Sequence, residues 1–206
     1  MNPSLFLVYG DDELDVAKKA DNIVDEHIGT AKDQFGLELI DGQADTVDQA
    51  VNVITDCKVA LNTGGFLTNE KVVWLKGANF LQETAVGRSQ SVKEASQSLG
   101  DLIKQGFSLG TIFLITAPKV DKRYSLFKVC KEGGEVFEFS VPTQARGAAQ
   151  HALDRLGDLL DEAGLTIRDS VKAAFLERVG MDPHTTKNEV EKLKTYGGNR
   201  REVTLE

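Results

Sequence analysis

Five short runs of apolar and β-branched residues punctuate the first two thirds of the chain: LFLVY at 5–9, LELID at 37–41, KVVWL at 71–75, TIFLIT at 111–116 and EVFEF at 135–139. The first, third and fourth are almost continuously apolar, the pattern of strands covered on both faces. Between the runs the spacing changes to the helical period over Glu13 to His27, Asp45 to Cys57, Ser91 to Gln105 and Lys122 to Glu132. The last of these puts Tyr124, Phe127, Lys128 and Lys131 on a shared face. Strand and helix in alternation predict an α/β fold: a three-layer domain over residues 1–140 built on a five-stranded parallel sheet.

After Ser140-Val141-Pro142-Thr143 the character changes and no further strand-like run recurs. Thr143 reads as the cap of a long helix ending near Gly164, with Ala148, Ala152, Leu156, Leu159 and Leu160 along its inner face. A second helix is expected from about Arg168 to Val179, closed by Gly180, and a third from Pro183 to Tyr196, closed by Gly197-Gly198. In the third, Val190, Leu193 and Tyr196 read as the inner face. Residues 141–206 are therefore expected to form a small three-helix domain.

Composition narrows the function. The 206 residues carry a net charge of −8, which disfavours a protein that wraps nucleic acid over most of its surface, because such binding neutralises many phosphates with Lys and Arg. Cys57 and Cys130, the two cysteines, are far apart and suggest neither a disulfide framework nor a zinc site. No apolar stretch is long enough to cross a membrane, and a reducing cytoplasm is the expected setting.

The stretch LFLVYGDDELDVAKKA, residues 5–20, is a strand, a glycine turn and a helix start, the arrangement that cradles phosphates in P-loop ATPases. Such a loop needs further glycines, a lysine for the phosphate charge and a hydroxyl for magnesium. Here only Gly10 remains, and Asp11, Asp12 and Glu13 occupy the helix N-terminus, where carboxylates are favoured and a phosphate would be repelled. No acidic cluster follows TIFLIT either, since Ala117-Pro118-Lys119 comes next. The expectation is a nucleotide-binding architecture without nucleotide chemistry, and no cofactor. A metal ion held by Asp11 and Asp12 is the alternative reading of that pair, but helix capping accounts for the same residues. His27, His151 and His184 are dispersed and no nucleophile constellation is visible, so no catalytic residue and no metal are expected.

Four stretches, in order, resemble the delta subunit of the bacterial DNA polymerase III clamp loader, an AAA+ relative that has lost its ATP site: LFLVYGDD at 5–12, TGGFLTNEKVVWLKG at 63–77, TAPKVDKRYSLFKVCKEGGEVFEF at 116–139 and VGMDPHTTKNEVEKLKTYGG at 179–198. The resemblance implies an AAA+-like α/β domain followed by a three-helix lid. It also implies a third helical domain, the collar, which this chain is expected to lack, either as a shortened piece of a longer protein or as a short natural variant. The implied function is non-catalytic: to bind the ring-shaped sliding clamp (beta) and hold it open for loading onto primed DNA. The implied clamp contact is a hydrophobic plug just before the third strand, at Gly65, Phe66 and Leu67, with Gly65 standing where the family has an aliphatic residue. The other implied partners are loader subunits, met through the missing collar, and DNA, met through the assembled loader. Lys119, Lys122, Arg123 and Lys128, in the concentrated basic segment, are candidate contacts to DNA or to a neighbouring subunit. Two competing readings are an α/β nucleotide-binding enzyme with an unusual loop and a degenerate AAA+ adaptor outside replication.

Overall fold

A computed structural model describes residues 4–29, 36–64, 70–142, 144–198 and 201–203. The chain divides into two compact units, Met1–Ser140 and Val141–Glu206.

The first unit runs β1 (Leu5–Tyr9), α1 (Glu13–Ile28), β2 (Leu37–Asp41), α2 (Val47–Asn62), β3 (Lys71–Lys76), a 3₁₀ turn at Asn79–Leu81, α3 (Gln90–Gln105), β4 (Thr111–Ala117), α4 (Ser125–Gly133) and β5 (Glu135–Glu138). Its five strands form one sheet in the order β2-β3-β4-β1-β5, with every neighbouring pair parallel. The expected α/β sheet is thus present, and the three continuously apolar runs are its three central strands. Side chains alternate between its faces. Phe6, Val8, Val72, Trp74, Ile112 and Leu114 point to the face packed with Val16, Ala20, Ile23 and Val24 of α1. Leu5, Leu7, Val73, Leu75, Phe113 and Ile115 point to the opposite face, packed with Ile54 and Leu61 of α2, Leu99 of α3 and Leu126 and Phe127 of α4. Central strands buried on both faces leave no polar alternation to select for, whereas the edge strands β2 and β5 are half-exposed.

Three helix boundaries in this unit differ from the periodicity by two residues or more. α2 starts two residues later than Asp45 because Thr46 caps it: its hydroxyl accepts from the Gln49 amide and Gln49 bonds back to the Thr46 amide. It also runs five residues past Cys57, since Ala60 and Leu61 are core residues. α4 starts at Ser125 rather than Lys122, because the Asp121 carboxylate accepts from the Arg123 amide and the Asp121 carbonyl from the Tyr124 amide, closing a turn that excludes helix there. Phe127 is buried in the core and so leaves the solvent-facing row of Lys128 and Lys131.

The second unit contains α5 (Ala145–Ala163), β6 (Thr166–Ile167), α6 (Asp169–Val179), α7 (Pro183–Gly197) and β7 (Glu202–Val203). Leu156, Leu160, Leu165, Ile167, Val171, Leu176 and Val190 form its core. α5 ends on Gly164 with φ 70°, and α7 starts at Pro183 behind Asp182, whose carboxylate accepts from the Thr185 amide at 2.8 Å. The helix cap expected at Thr143 lies outside the described residues. The sequence showed no strand here, yet β6 and β7 pair in parallel. Two-residue strands leave no alternating run to read, and their pairing is tertiary. Tyr196 is also not on the inner face: it is 95% exposed, while Val190 is buried and Leu193 half-buried. Steps of three residues fall short of a 3.6-residue turn, so by the second step the side chain has drifted about 120° round the helix. No helix among the described residues is long and apolar enough to cross a membrane.

Candidate functional site

The loop after β1 sits at the carboxyl ends of the strands, where open α/β sheets bind ligands. In this chain its own backbone closes it. Beyond β5, Phe139 continues alongside β1: its amide donates to the Tyr9 carbonyl at 2.8 Å, and its carbonyl accepts from the Asp12 amide at 3.3 Å. The Gly10 amide donates to the Ala117 carbonyl at 3.1 Å. Gly10 has φ 150°, and a Cβ on it would stand 1.6 Å from the Phe139 oxygen, so only glycine lets the two segments cross. Asp12 is 1% exposed and caps α1, accepting from the Asp15 amide at 3.1 Å. Loop amides and the helix start that a phosphate would use are engaged by Phe139, Ala117 and Asp12.

Beside this loop opens a cleft of about 500 Å³, with Tyr9, Gly10 and Asp11 on one wall and Glu83, Lys119, Asp121, Lys122, Arg123 and Glu138 around it. Of the four basic residues expected to face DNA or a subunit, two are already paired. Lys122 bonds both Glu138 oxygens, at 2.8 and 3.1 Å. Arg123 bonds Asp121 through Nε and Nη2, and Nη2 also meets Glu83. The Arg123 guanidinium holds the Asp121 carboxyl well below the usual carboxylate range, and Asp121 in turn pushes Arg123 up. The Lys122 ammonium lowers Glu138, and Glu138 raises Lys122. Burial raises the Tyr9 phenol, reinforced by Glu138. Lys119 and Lys128 are exposed. Sequence reasoning missed Glu83 and Glu138 as partners, and no local signal marks them: they lie 40 and 16 residues from the bases they meet.

Gly65, Phe66 and Leu67 lie outside the described residues. The chain on either side of them is well fixed. Lys71, 6% exposed, donates to the carbonyls of Ala60 and Thr63, each at 3.0 Å, and its ammonium is 2.6 Å from a Glu38 oxygen. A lysine opening the apolar run KVVWL was the sequence signal for this buried cation. Cys57 and Cys130 are buried free thiols, each pushed up to about 12 by burial, and are chemically quiet.

Comparison with known families identifies the chain: residues 6–140 match the profile of the DNA polymerase III delta subunit. The chain belongs to this family. The delta-family match covers nearly all of the α/β unit and includes residues 65–67 and the 119–131 basic segment. Among solved structures, the chain superposes on the Bacillus subtilis DNA clamp loader delta protein YqeN with a TM-score of 0.59 at 20% identity, over 99% of this chain and 56% of that one. At that identity the likeness concerns the fold, which is AAA+-like. The chain therefore spans little more than half the length of YqeN. A Thermotoga maritima DNA polymerase III gamma subunit-related protein matches at TM-score 0.39 and 13% identity, over 93% of this chain and 67% of that one, too loosely to bear on function. No curated protein sequence matches.

Proposed function

We propose that this chain is the clamp-gripping subunit of a DNA polymerase III clamp loader, acting in the cytoplasm without catalysis of its own. It binds the sliding clamp and opens its ring for loading onto primed DNA. The observation that carries the reading is the delta-family match over residues 6–140, which spans the segment holding Gly65, Phe66 and Leu67. The closed loop at Gly10 supports the non-catalytic part, since Asp12 and the Phe139 carbonyl stand where a nucleotide's phosphates would be held. In this reading Phe66 enters an apolar pocket on the clamp with Leu67 beside it, and Lys71 anchors the chain leaving the segment. Other loader subunits are met through a collar domain outside this sequence. DNA is met in the assembled loader, with the surface charges of Lys119 and Lys128, which pair with no acid among the described residues, better placed to contribute than Lys122 and Arg123, which already hold acids.

The test is binding of the cognate sliding clamp, immobilised, to wild type and to Phe66→Ala. A buried aromatic anchor carries roughly 2 kcal/mol or more, so the variant should lose about thirtyfold in affinity. Equal affinity for wild type and variant would overturn the assignment of Phe66, and no clamp binding by wild type would overturn the function.

A further inference from the structure

The turn between α3 and β4 is built onto both flanks of the segment that carries Phe66. The Ser108 amide donates at 3.1 Å to the carbonyl of Leu61, in the last turn of α2, and the Gly110 carbonyl accepts at 2.8 Å from the amide of Lys71, the first residue of β3. The turn is closed on itself as well. The Thr111 amide donates to the Ser108 carbonyl at 3.1 Å, and Gly110 takes the third position with φ 75°, a conformation that glycine adopts without strain. Phe107, just before the turn, packs against the core. Backbone bonds and a packed ring thus hold the turn fixed, and at its tip the Leu109 side chain is fully exposed.

The turn itself does not ask for a leucine, because its second position accepts most residues. Nor does one exposed leucine by itself mark a site, since single apolar side chains are ordinary on protein surfaces. Leu39, in the middle of edge strand β2 opposite Trp74, is another. What sets Leu109 apart is its position: β4 starts level with β3, Thr111 opposite Lys71, so the turn lies at the end of the sheet where the chain arrives from residues 65–67. We infer that Leu109 is a second apolar contact to the sliding clamp, beside the plug at Gly65, Phe66 and Leu67. The inference rests on the clamp-binding function proposed above and extends its contact surface. A clamp that takes up residues 65–67 closes on the end of the sheet to which the turn is bonded, and covering Leu109 there removes apolar area from water. Little ordering is needed on binding, because the turn is already rigid. The partner chemistry this requires is an apolar patch flanking the pocket for Phe66.

The experiment measures binding of the full chain to the immobilised cognate sliding clamp for wild type, Phe66→Ala, Leu109→Ala and Leu39→Ala. Leu109→Ala should weaken binding about fivefold or more, and Leu39→Ala by less than about twofold. Both side chains are exposed, so both variants should fold, and an unchanged melting temperature checks this. A second readout reports contact rather than affinity. The thiol introduced by Leu109→Cys should react with N-ethylmaleimide about tenfold more slowly under saturating clamp, because the interface excludes water, while that of Leu39→Cys should react at an unchanged rate. Cys57 and Cys130 are buried and do not compete. If wild type binds the clamp and Phe66→Ala does not, but Leu109→Ala binds as wild type does or the thiol of Leu109→Cys stays as reactive as in the free chain, this inference falls and the clamp-binding function stands. If wild type does not bind the clamp, both fall. Protection of that thiol which appears without clamp and grows with the concentration of the chain itself would assign the surface to a second copy and overturn the inference.

Discussion

The Lys71 ammonium donates to the Thr63 carbonyl at 3.0 Å, tying together two residues eight positions apart on either side of the segment that carries Phe66. The same ammonium bonds Ala60, in the last turn of α2, and Glu38 on β2, so one buried cation fastens a helix end, an edge strand and the start of β3.

Lys71→Met should destabilise the fold by about 1–3 kcal/mol, because it leaves the Ala60 and Thr63 carbonyls without their donor. The cost stays below that of breaking a fully buried ion pair, since the Glu38 side chain is 47% exposed and water can take over its charge. Glu38→Gln alone should cost at most about 1 kcal/mol. Urea unfolding of the two variants checks both values, and equal effects would contradict the burial argument.

Gly10→Ala should cost about 2–4 kcal/mol, through the overlap of its Cβ with the Phe139 carbonyl and through the positive φ. Gly164→Ala gives the comparison: it has φ 70° but open space around it, so it should carry the conformational cost alone, about 1 kcal/mol. Thermal melts of the two variants separate the steric contribution from the conformational one.

Millimolar ATP with magnesium should leave the melting temperature unchanged. A ligand at a hundred times its Kd stabilises by about 2.7 kcal/mol, an easily seen shift. A rise of that size with ATP, abolished by changing Gly10, would show that the Phe139 segment moves aside.

Acid sensitivity should follow the Asp121–Arg123 pair. Asp121 and Glu138 are held below their ordinary values in the folded chain, so their contribution is complete above the unfolded values of about 3.9 and 4.3 and is lost as pH falls through the lower folded ones. Arg123→Met removes the chief cause at Asp121. Melting temperature should therefore drop more steeply for wild type than for the variant below about pH 4. Parallel curves would mean that the pair contributes nothing.

The sequence by itself determined the α/β fold, the order of the strands and helices over residues 1–140, and the family. LFLVY, KVVWL and TIFLIT read as central strands because burial on both faces requires apolar side chains at successive positions, a property local to each run. Gly10 followed by Asp11 and Asp12 likewise announced an altered phosphate loop from adjacent residues alone. Only tertiary structure decided that Phe139 supplies the carbonyl closing that loop and that Lys122 and Arg123 are met by Glu138 and Glu83. Tertiary packing also brought the Lys71 ammonium to Glu38 on the edge strand and to the end of α2. These are meetings between residues distant along the chain, and periodicity and capping preferences, which act within a few residues, carry no information about them.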